Sequence, residues 1–383
     1  MMSKQYYTFF LIIPPGLEDL AKLELLEKTA ALPETFIKEI RLEKGGISIE
    51  TTLSVGFSLN LTLKIPTRIL LRLDEFKCRD FPRLFKKISR FKWATYLNQP
   101  LYKIHVSSQT SRLLNTKKIE QTVTLGILQY FKANTPTKKM LLKKIDKPPQ
   151  IFLRVVNDLV TLSIDTTGTR LNIRNYRTNI GFAPIRENIA AALVLALGSL
   201  KNTHLVDPMC GSGTFLLEAA GFYLPSTRNF AFTLFNLPPE SDLLLPIPGE
   251  HAHTSFLSYT GLDINDRAIE TSQNNFKNLK QTAPIHFFTH DLFLKRTYKL
   301  YGNLAVITNP PYGKRIIIKE NLIQYYQKIM DAIYHNYTPQ VVGIVIPQNI
   351  NYKKINFKNY LIKEIITFSN GGIKVNFLVL HKD

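Results

Sequence analysis

Residues 203–222 read THLVDPMCGSGTFLLEAAGF, and this stretch decides the fold that the sequence predicts. The apolar run before Asp207 predicts a short buried strand, and a helical pattern begins at Thr214. Between them stands CGSG, whose glycines allow the backbone to approach a ligand closely, and the following helix begins with unpaired N–H groups. A strand, an acid, a glycine loop and a helix in this order predict a ligand site at one edge of a sheet.

The glycine loop fits none of the common phosphate-binding patterns. No Lys-Ser or Lys-Thr pair follows its last glycine, which excludes a P-loop, and the third glycine of the dinucleotide fingerprint is missing. An acid before the glycines would repel a phosphate, whereas it suits an amino group or ribose hydroxyls. A GxG sequence also occurs in structural tight turns, so the loop alone leaves both interpretations open.

Two further strand patterns end in acidic residues. YTGLDIND, at 259–266, predicts a strand that ends in Asp263 and is followed by a helix. A carboxylate at the end of the second strand is where such sheets bind a ribose diol. FFTHDL, at 287–292, predicts a third strand before Asp291. That residue could cap a helix, but its place in the series favours an acceptor for the edge of an adenine.

The most specific pattern is VITNPPYG, at 306–313. It places Asn309 at the tip of a fourth strand, followed by the rigid Pro310 and Pro311 and by Tyr312. An exocyclic amine on a planar base is a poor nucleophile because its lone pair is delocalised into the ring. The carbonyls of Asn309 and Pro310 can accept its two N–H bonds, and Tyr312 can stack on the base. The alternative is a plain Pro-Pro turn, which the three preceding strand ends disfavour.

The full chain has a formal net charge of +20, and its basic residues are concentrated in its first half. Residues 76–147 carry 17 of the 49 basic side chains and three acidic ones. A lysine-rich solvated surface and an anionic membrane are alternative explanations, but no stretch combines this charge with a clean apolar helix face. We therefore expect a nucleic acid partner. The predicted contacts lie on helices over 81–93 and 117–132: Arg83, Lys86, Lys87, Arg90, Lys117 and Lys118.

Other classes of protein are disfavoured by simple features. The apolar runs are far too short to cross a bilayer, and the opening residues predict a first strand rather than a secretion signal. The only cysteines, Cys78 and Cys210, fit a reduced cytoplasm. The eight histidines form no metal-ligand spacing, so we expect no metal, and Cys210 lacks a partner that would activate it as a nucleophile. No pattern indicates an oligomeric state.

The predicted elements divide the chain into an N-terminal α+β part and a C-terminal α/β part. In the first part we expect a strand pattern over 61–73, interrupted by Pro66, and a hairpin turn at Asn157-Asp158. Residues 166–176, which have little hydrophobic content, predict a linker. A helix begins at Ala183-Pro184, and strands then alternate with helices to the end. An insertion over 224–248 separates the first two strand–helix units.

Four of these motifs, DPMCGSGT, GLDIND, HDL and NPPYG, resemble motifs I to IV of class I S-adenosylmethionine-dependent methyltransferases that act on exocyclic amines. RNYR, APIRENIAAAL, RNFAF and FSNGGIK narrow the resemblance to THUMP-domain RNA guanine-N2 methyltransferases. The family implies a Rossmann-like domain with a mixed seven-stranded sheet over 168–383. A ferredoxin-like segment, 1–45, and a THUMP-like RNA-binding domain, 46–167, would precede it.

The resemblance implies methyl transfer from S-adenosylmethionine to the N2 amine of a guanine, in 23S rRNA or alternatively in tRNA. The target base would meet Asn309, Pro310, Pro311 and Tyr312. Asp207 and the glycine loop would hold the methionine part of the cofactor, Asp263 the ribose and Asp291 the adenine amine. The full set implied for the cofactor is Asp207, Cys210, Gly211, Ser212, Gly213, Thr214, Asp263, Ile264, Asp291 and Leu292.

Some functions that share these motifs stay open. Adenine-N6 methyltransferases of nucleic acids and glutamine-N5 methyltransferases of release factors also carry NPPY. The first would usually bring a target-recognition domain, and the second would not require the basic module. A non-enzymatic RNA-binding protein is disfavoured because every motif residue is present. Since the chain ends at Asp383, we expect the second methyltransferase activity often fused in this family to be absent or to reside in another protein.

Overall fold

The computed structural model describes residues 5–134, 147–177, 185–221, 229–236, 256–279, 283–296, 302–313 and 320–383, with residues 244, 300 and 318. Its strands form two seven-stranded sheets, one in each half of the chain. Each sheet is covered by helices, and the buried apolar residues of both halves belong largely to one connected core.

The N-terminal sheet has the order β2-β3-β1-β4-β7-β6-β5 and is antiparallel except between β5 and β6. The expected division between residues 45 and 46 falls at the turn from β2 to β3, so the two N-terminal units share this sheet. The strands are β1 (Tyr7–Ile12), β2 (Ile37–Glu43), β3 (Gly46–Thr51), β4 (Arg68–Lys77), β5 (Lys103–Gln109), β6 (Gln150–Val156) and β7 (Leu159–Asp165). The helices are α1 (Glu18–Thr29), α2 (Leu53–Thr62), α3 (Phe81–Arg90) and α4 (Thr116–Asn134).

Helix α2 corrects the strand predicted over 61–73. The helix ends at Thr62, and the strand, β4, begins only at Arg68, after Pro66. Seven of the ten residues of α2 are buried, so its sequence lacks the alternation of apolar and polar faces that reveals a helix. The hairpin turn at Asn157-Asp158 is confirmed, because both residues have positive φ and β6 pairs directly with β7.

The C-terminal sheet has the order β10-β9-β8-β11-β12-β14-β13, parallel except for β14. The mixed seven-stranded α/β sheet is therefore confirmed. Its strands are β8 (Thr203–Asp207), β9 (Ser258–Asp263), β10 (Ile285–Thr289), β11 (Asn303–Thr308), β12 (Val341–Pro347), β13 (Tyr360–Asn370) and β14 (Ile373–Lys382). The helices are α5 (Glu187–Ala196), α6 (Thr214–Ala219), α7 (Asp266–Asn278) and α8 (Leu322–Tyr337). The predicted helix start at Ala183-Pro184 lies outside the described residues.

The segment predicted as a linker is instead partly buried, and its buried side chains connect the two halves. Arg174 lies in the core and donates from Nε to Glu218 Oε1 at 3.3 Å and from Nη2 to the carbonyl of Lys64 at 2.7 Å. The hydroxyl of Tyr176 donates to Glu218 Oε1 at 3.0 Å. Because Glu218 is in α6 and Lys64 precedes β4, this buried network joins the N-terminal sheet to the glycine-loop helix.

A second contact between the halves comes from residues 229–236, within the predicted insertion, most of which lies outside the described residues. Phe232 stacks on Phe57 of α2 with ring centroids 4.6 Å apart. Phe235 meets Tyr96 edge to face, and Asn98 donates to the carbonyl of Leu234 at 3.2 Å. Residues 229–236 therefore pack on the N-terminal domain. Over the described part of the chain, no helix has the length and apolar character needed to cross a membrane.

We expect Glu218→Ala to lower the free energy of unfolding by about 3–5 kcal/mol, because it leaves the Arg174 guanidinium buried without its carboxylate. Urea denaturation followed by circular dichroism measures the change. Glu50→Ala is the control, since it removes a more exposed ion pair with Lys38 and should leave the midpoint nearly unchanged. Equal midpoints for the two variants would contradict a stabilising role for the network.

Candidate active site

The predicted polar residues meet at the carboxyl edge of the C-terminal sheet. Asp207 ends β8 and Asp263 ends β9, while Asp291 follows β10 by two residues and Asn309 directly follows β11. The strand order reverses between β8 and β11, and parallel α/β sheets bind ligands at such a reversal. The structure therefore places Asp207 and Asn309 on the two sides of the expected binding crevice.

The glycine loop has backbone angles that would be strained for residues other than glycine. Gly211 and Gly213 have φ angles of +53° and +76°. A Cβ at Gly213 would lie 3.0 Å from the side chains of Phe287 and Ser272, whereas one at Gly211 would meet no atom within 4 Å. The first glycine therefore faces open space where a ligand can approach, and the second allows close packing.

The end of β9 holds this loop in place. The amide of Gly211 donates to Asp263 Oδ2 at 3.0 Å, and the amide of Cys210 donates to the carbonyl of Leu262 at 2.8 Å. Asp263 Oδ1 accepts from the amide of Asn265 at 2.9 Å. The half-buried Asp263 carboxylate is thus oriented by two backbone amides, one from the loop and one from the turn that precedes α7.

Burial makes Asp207 an unusual acid. Its side chain is enclosed, and burial together with the nearby Asp263 charge raises its pKa to about 8. A positively charged group placed beside it would restore the ionised form. Burial and the same two carboxylates raise the pKa of the Cys210 thiol far above its ordinary value. This thiol therefore stays protonated, as expected of a residue that is not a nucleophile.

Arg177 is a site residue that the sequence reasoning did not identify. Its guanidinium donates to the hydroxyls of Ser212 and Thr214 at 3.1 and 3.3 Å and pairs with Glu187 of α5 at 3.2 Å. It therefore fixes the side chains on either side of Gly213. The available signal was the motif RNYR, at 174–177, whose two arginines hold the α6 helix and the loop before it.

The remaining predicted cofactor residues differ in exposure. The side chain of Ile264 is 69% exposed beside Asp263, an unusual position for an isoleucine and a suitable surface for a flat ring. Asp291 Oδ1 accepts from the amide of Phe293 at 2.9 Å, so it also caps a turn. Leu292 is buried in the core, and only its backbone can serve a ligand. Across the described residues, no cluster of three or more His, Cys, Asp or Glu could hold a metal ion.

The NPPY segment forms the other wall of the crevice. Asn309 is half-buried and accepts a hydrogen bond at Oδ1 from the hydroxyl of Tyr312. The carbonyl of Pro311 accepts from the hydroxyl of Tyr326, in α8, at 3.4 Å. The two prolines and this contact restrain the segment, so the carbonyl groups of Asn309 and Pro310 are preorganised acceptors.

The predicted basic residues lie on two packed helices of the N-terminal domain. The Nζ of Lys118, at the start of α4, lies 4.5 Å from the ring centroid of Phe81, the first residue of α3. The neighbouring Lys117 is exposed. The four basic residues of α3 line a hollow of about 910 Å³. Its lining also contains Phe91 and Tyr96. Of these two, Tyr96 is the one that contacts Phe235. The four basic residues are Arg83, Lys86, Lys87 and Arg90.

We expect Gly213→Ala to destabilise the fold by more than the ~1–2 kcal/mol of backbone strain, because its Cβ also crowds Phe287 and Ser272. Chemical denaturation measures the loss. Gly198→Ala is a matched control, since Gly198 has nearly the same φ, +78°, with no atom within 4 Å of a Cβ. Equal losses from the two variants would show that the loop does not depend on close packing.

Comparisons with known proteins identify the C-terminal part. The model of the RMKL-like methyltransferase domain matches residues 174–372, more than half of the chain. Over 307 residues the chain is 30% identical to the ribosomal RNA large subunit methyltransferase K/L of Colwellia psychrerythraea strain 34H, covering 74% of this chain and 42% of that protein. The protein of the same name from Buchnera aphidicola subsp. Schizaphis graminum is 30% identical over 321 residues, covering 79% and 45%.

The chain therefore spans less than half the length of these curated relatives. Among solved structures, a possible methylase from Clostridium difficile 630 superposes with a TM-score of 0.81 at 27% identity, covering 99% of both chains. The matched family residues include the glycine loop, the three acidic strand ends and the NPPY segment described above. This chain belongs to the family of RMKL-like methyltransferase domains.

Proposed function

We propose that this chain is an S-adenosylmethionine-dependent methyltransferase that modifies the N2 amine of a guanine in RNA, and that the RNA is 23S rRNA. The observation that carries the proposal is the placement of Asn309 and Asp207 on adjacent strand ends, where the strand order reverses. The first supplies an acceptor for the target amine, and the second lies in the acidic half of the crevice. The name of the two curated relatives favours large-subunit rRNA over tRNA.

The chemistry of the side chains fits this cofactor. Asp207, whose buried carboxyl would be stabilised as an anion by a cation, suits the α-amino group. Asp263 suits the ribose hydroxyls, and Asp291 the adenine amine beside the exposed Ile264. Cys210, Gly211, Ser212, Gly213 and Thr214 would shape the loop around the methionine part. When bound, the cofactor supplies an electrophilic methyl group on a positively charged sulfur.

On the target side, the residues of this chain prepare the amine. The Asn309 Oδ1 and the Pro310 carbonyl would accept its two N–H bonds, which turns the nitrogen lone pair out of conjugation and toward the methyl group. Tyr312 would stack on the base, and the fixed φ of Pro311 restricts the backbone just before it. The amine loses its extra proton to solvent or to the site after transfer.

The N-terminal hollow would hold the RNA around the target. It gathers five cations, the four of α3 and Lys92, with two aromatic rings and one acid, Asp74, a combination that suits phosphates and unpaired bases. A release-factor substrate would not require this basic surface. An adenine target would give a methylated adenosine instead of N2-methylguanosine. The THUMP-like identity of residues 46–167 and a cytoplasmic location belong to the same proposal; both cysteines are free thiols.

We expect the purified protein to transfer labelled methyl groups from S-adenosylmethionine to unmodified large-subunit rRNA. Asn309→Ala should reduce the rate of this methyl transfer at least a hundredfold. The reason is the loss of the side-chain acceptor for the amine. Mass spectrometry of nucleosides from separated rRNA and tRNA should find N2-methylguanosine in the large rRNA.

Asn303→Ala is the control for this test, because Asn303 is exposed at the opposite end of the same strand and bonds Gln340 at 2.8 Å. It should keep full activity. Label in adenine, in DNA or in a protein would refute the guanine assignment. Equal loss of RNA binding and of methylation in Asn309→Ala would refute the role given to Asn309.

We expect reversal of three charges in the hollow, Arg83→Glu, Lys86→Glu and Arg90→Glu together, to weaken RNA binding and to flatten its dependence on salt. Each lost phosphate contact lowers the slope of log K against log salt by roughly 0.7–0.9. Filter binding or fluorescence anisotropy between low and moderate salt measures both quantities.

The matched control reverses three exposed lysines that lie away from the carboxyl edge of the C-terminal sheet: Lys201, Lys363 and Lys382. It changes the net charge by the same amount, so a general effect of charge would appear in both variants. An unchanged salt slope for the hollow variant would place the RNA site elsewhere.

A further inference from the structure

The hairpin that ends the C-terminal sheet brings a polar side chain to the NPPY segment. Asn370 is the last residue of β13 in the motif FSNGGIK, and it is 7% exposed. Its Nδ2 donates a hydrogen bond to the hydroxyl oxygen of Tyr312 at 3.1 Å. That hydroxyl in turn donates to Asn309 Oδ1. The three side chains form a directed chain of hydrogen bonds that ends on the acceptor proposed for the target amine.

The turn after Asn370 fixes its position. Gly371 and Gly372 have φ angles of +58° and +83°, as a two-residue turn of type I′ requires, and Asn370 pairs directly with Ile373. Side chains next to such a short turn have little freedom to move. The backbone of the hairpin therefore holds the Asn370 amide against Tyr312.

The direction of the hydrogen bonds matters because an asparagine amide has two different ends. Asn309 can serve the target amine only with Oδ1 toward the base, whereas its Nδ2 would repel the N–H groups of the amine. A tyrosine hydroxyl can donate or accept. When its oxygen already accepts from Asn370, its hydrogen is directed to Asn309, and only Oδ1 can receive it.

We propose that Asn370 is a positioning residue that sets the orientation of the Asn309 amide through the hydroxyl of Tyr312. This inference rests on the proposed function, in which Asn309 accepts hydrogen bonds from an amine. One lone pair of Oδ1 receives the tyrosine hydrogen, and the second is thereby directed to the substrate.

The test uses a variant of nearly identical shape, Asn370→Asp. A carboxylate cannot donate, so the tyrosine hydroxyl would donate to it and no longer to Asn309. We expect Asn370→Asp to lower kcat/KM for RNA at pH 8 on the order of tenfold or more. Asn370→Ala should lower it no further than Asn370→Asp does.

A double-mutant cycle shows whether the effect passes through the tyrosine hydroxyl. In the Tyr312→Phe background this hydroxyl is absent, and Asn370→Asp should cause no further loss. Binding of S-adenosylhomocysteine, measured by calorimetry, should match the wild type in every variant. Asn376→Asp is the control, since Asn376 is a buried amide on β14 that accepts from Thr367 at 2.8 Å, and it should keep full activity.

Wild-type activity of Asn370→Asp at pH 8, a full additional loss in the Tyr312→Phe background, or weakened S-adenosylhomocysteine binding would each overturn the proposal. Failure of the proposed function is a separate result, namely a wild-type protein that makes no N2-methylguanosine. In that case the same cycle is measured on the amine substrate that the wild type does methylate, so the role of Asn370 is still decided.

Discussion

A charge that must be matched inside the protein links the two halves of this chain. The Glu218 carboxylate is fully enclosed and is paired with Arg174 and with the hydroxyl of Tyr176. Lys64 donates to the Glu218 carbonyl at 3.3 Å, and Glu24 of α1 accepts from the amide of Lys64 at 2.7 Å. Burial lowers the pKa of Lys64 to about 8. A buried charge without a partner costs several kcal/mol. The halves therefore cannot separate without exposing these charged groups to solvent or leaving them buried without their partners.

This constraint has a consequence for the site. Glu218 lies in the helix that follows the glycine loop, so the network fixes that loop relative to the N-terminal sheet. The stacked rings of Phe57 and Phe232 hold the same halves together at a second point, close to the basic hollow through Tyr96 and Phe235. These two separate contacts both restrain the N-terminal domain relative to the C-terminal sheet.

The crevice combines two environments of opposite character. On one side, burial and the nearby Asp263 charge raise the pKa of Asp207, and the Gly211 amide donates to Asp263. On the other side, neutral carbonyls and an aromatic ring surround Asn309. The acidic side suits a cationic ligand and the neutral side a planar amine. The two terminal nitrogens of Arg177 are occupied by loop hydroxyls, by Glu187 and by the carbonyl of Ile185.

Local sequence patterns predicted the features that depend on neighbouring residues: the α3 and α4 helices, the Asn157-Asp158 turn, the alternation of strands and helices in the C-terminal part and the polar residues near four strand ends. The mixed seven-stranded sheet was implied by the family resemblance. Periodicity and turn chemistry are local, so they can be read along the chain. Helix α2 was not predicted because burial of most of its residues removes the apolar periodicity. Residues 166–176 were interpreted as a linker because the acid that pairs with Arg174 is distant in the sequence. Only the tertiary structure decided that Arg177 holds the loop and that Asn370 reaches Tyr312, 58 residues away in the chain. Those contacts depend on how the sheet brings remote strand ends together, and no local pattern encodes that distance.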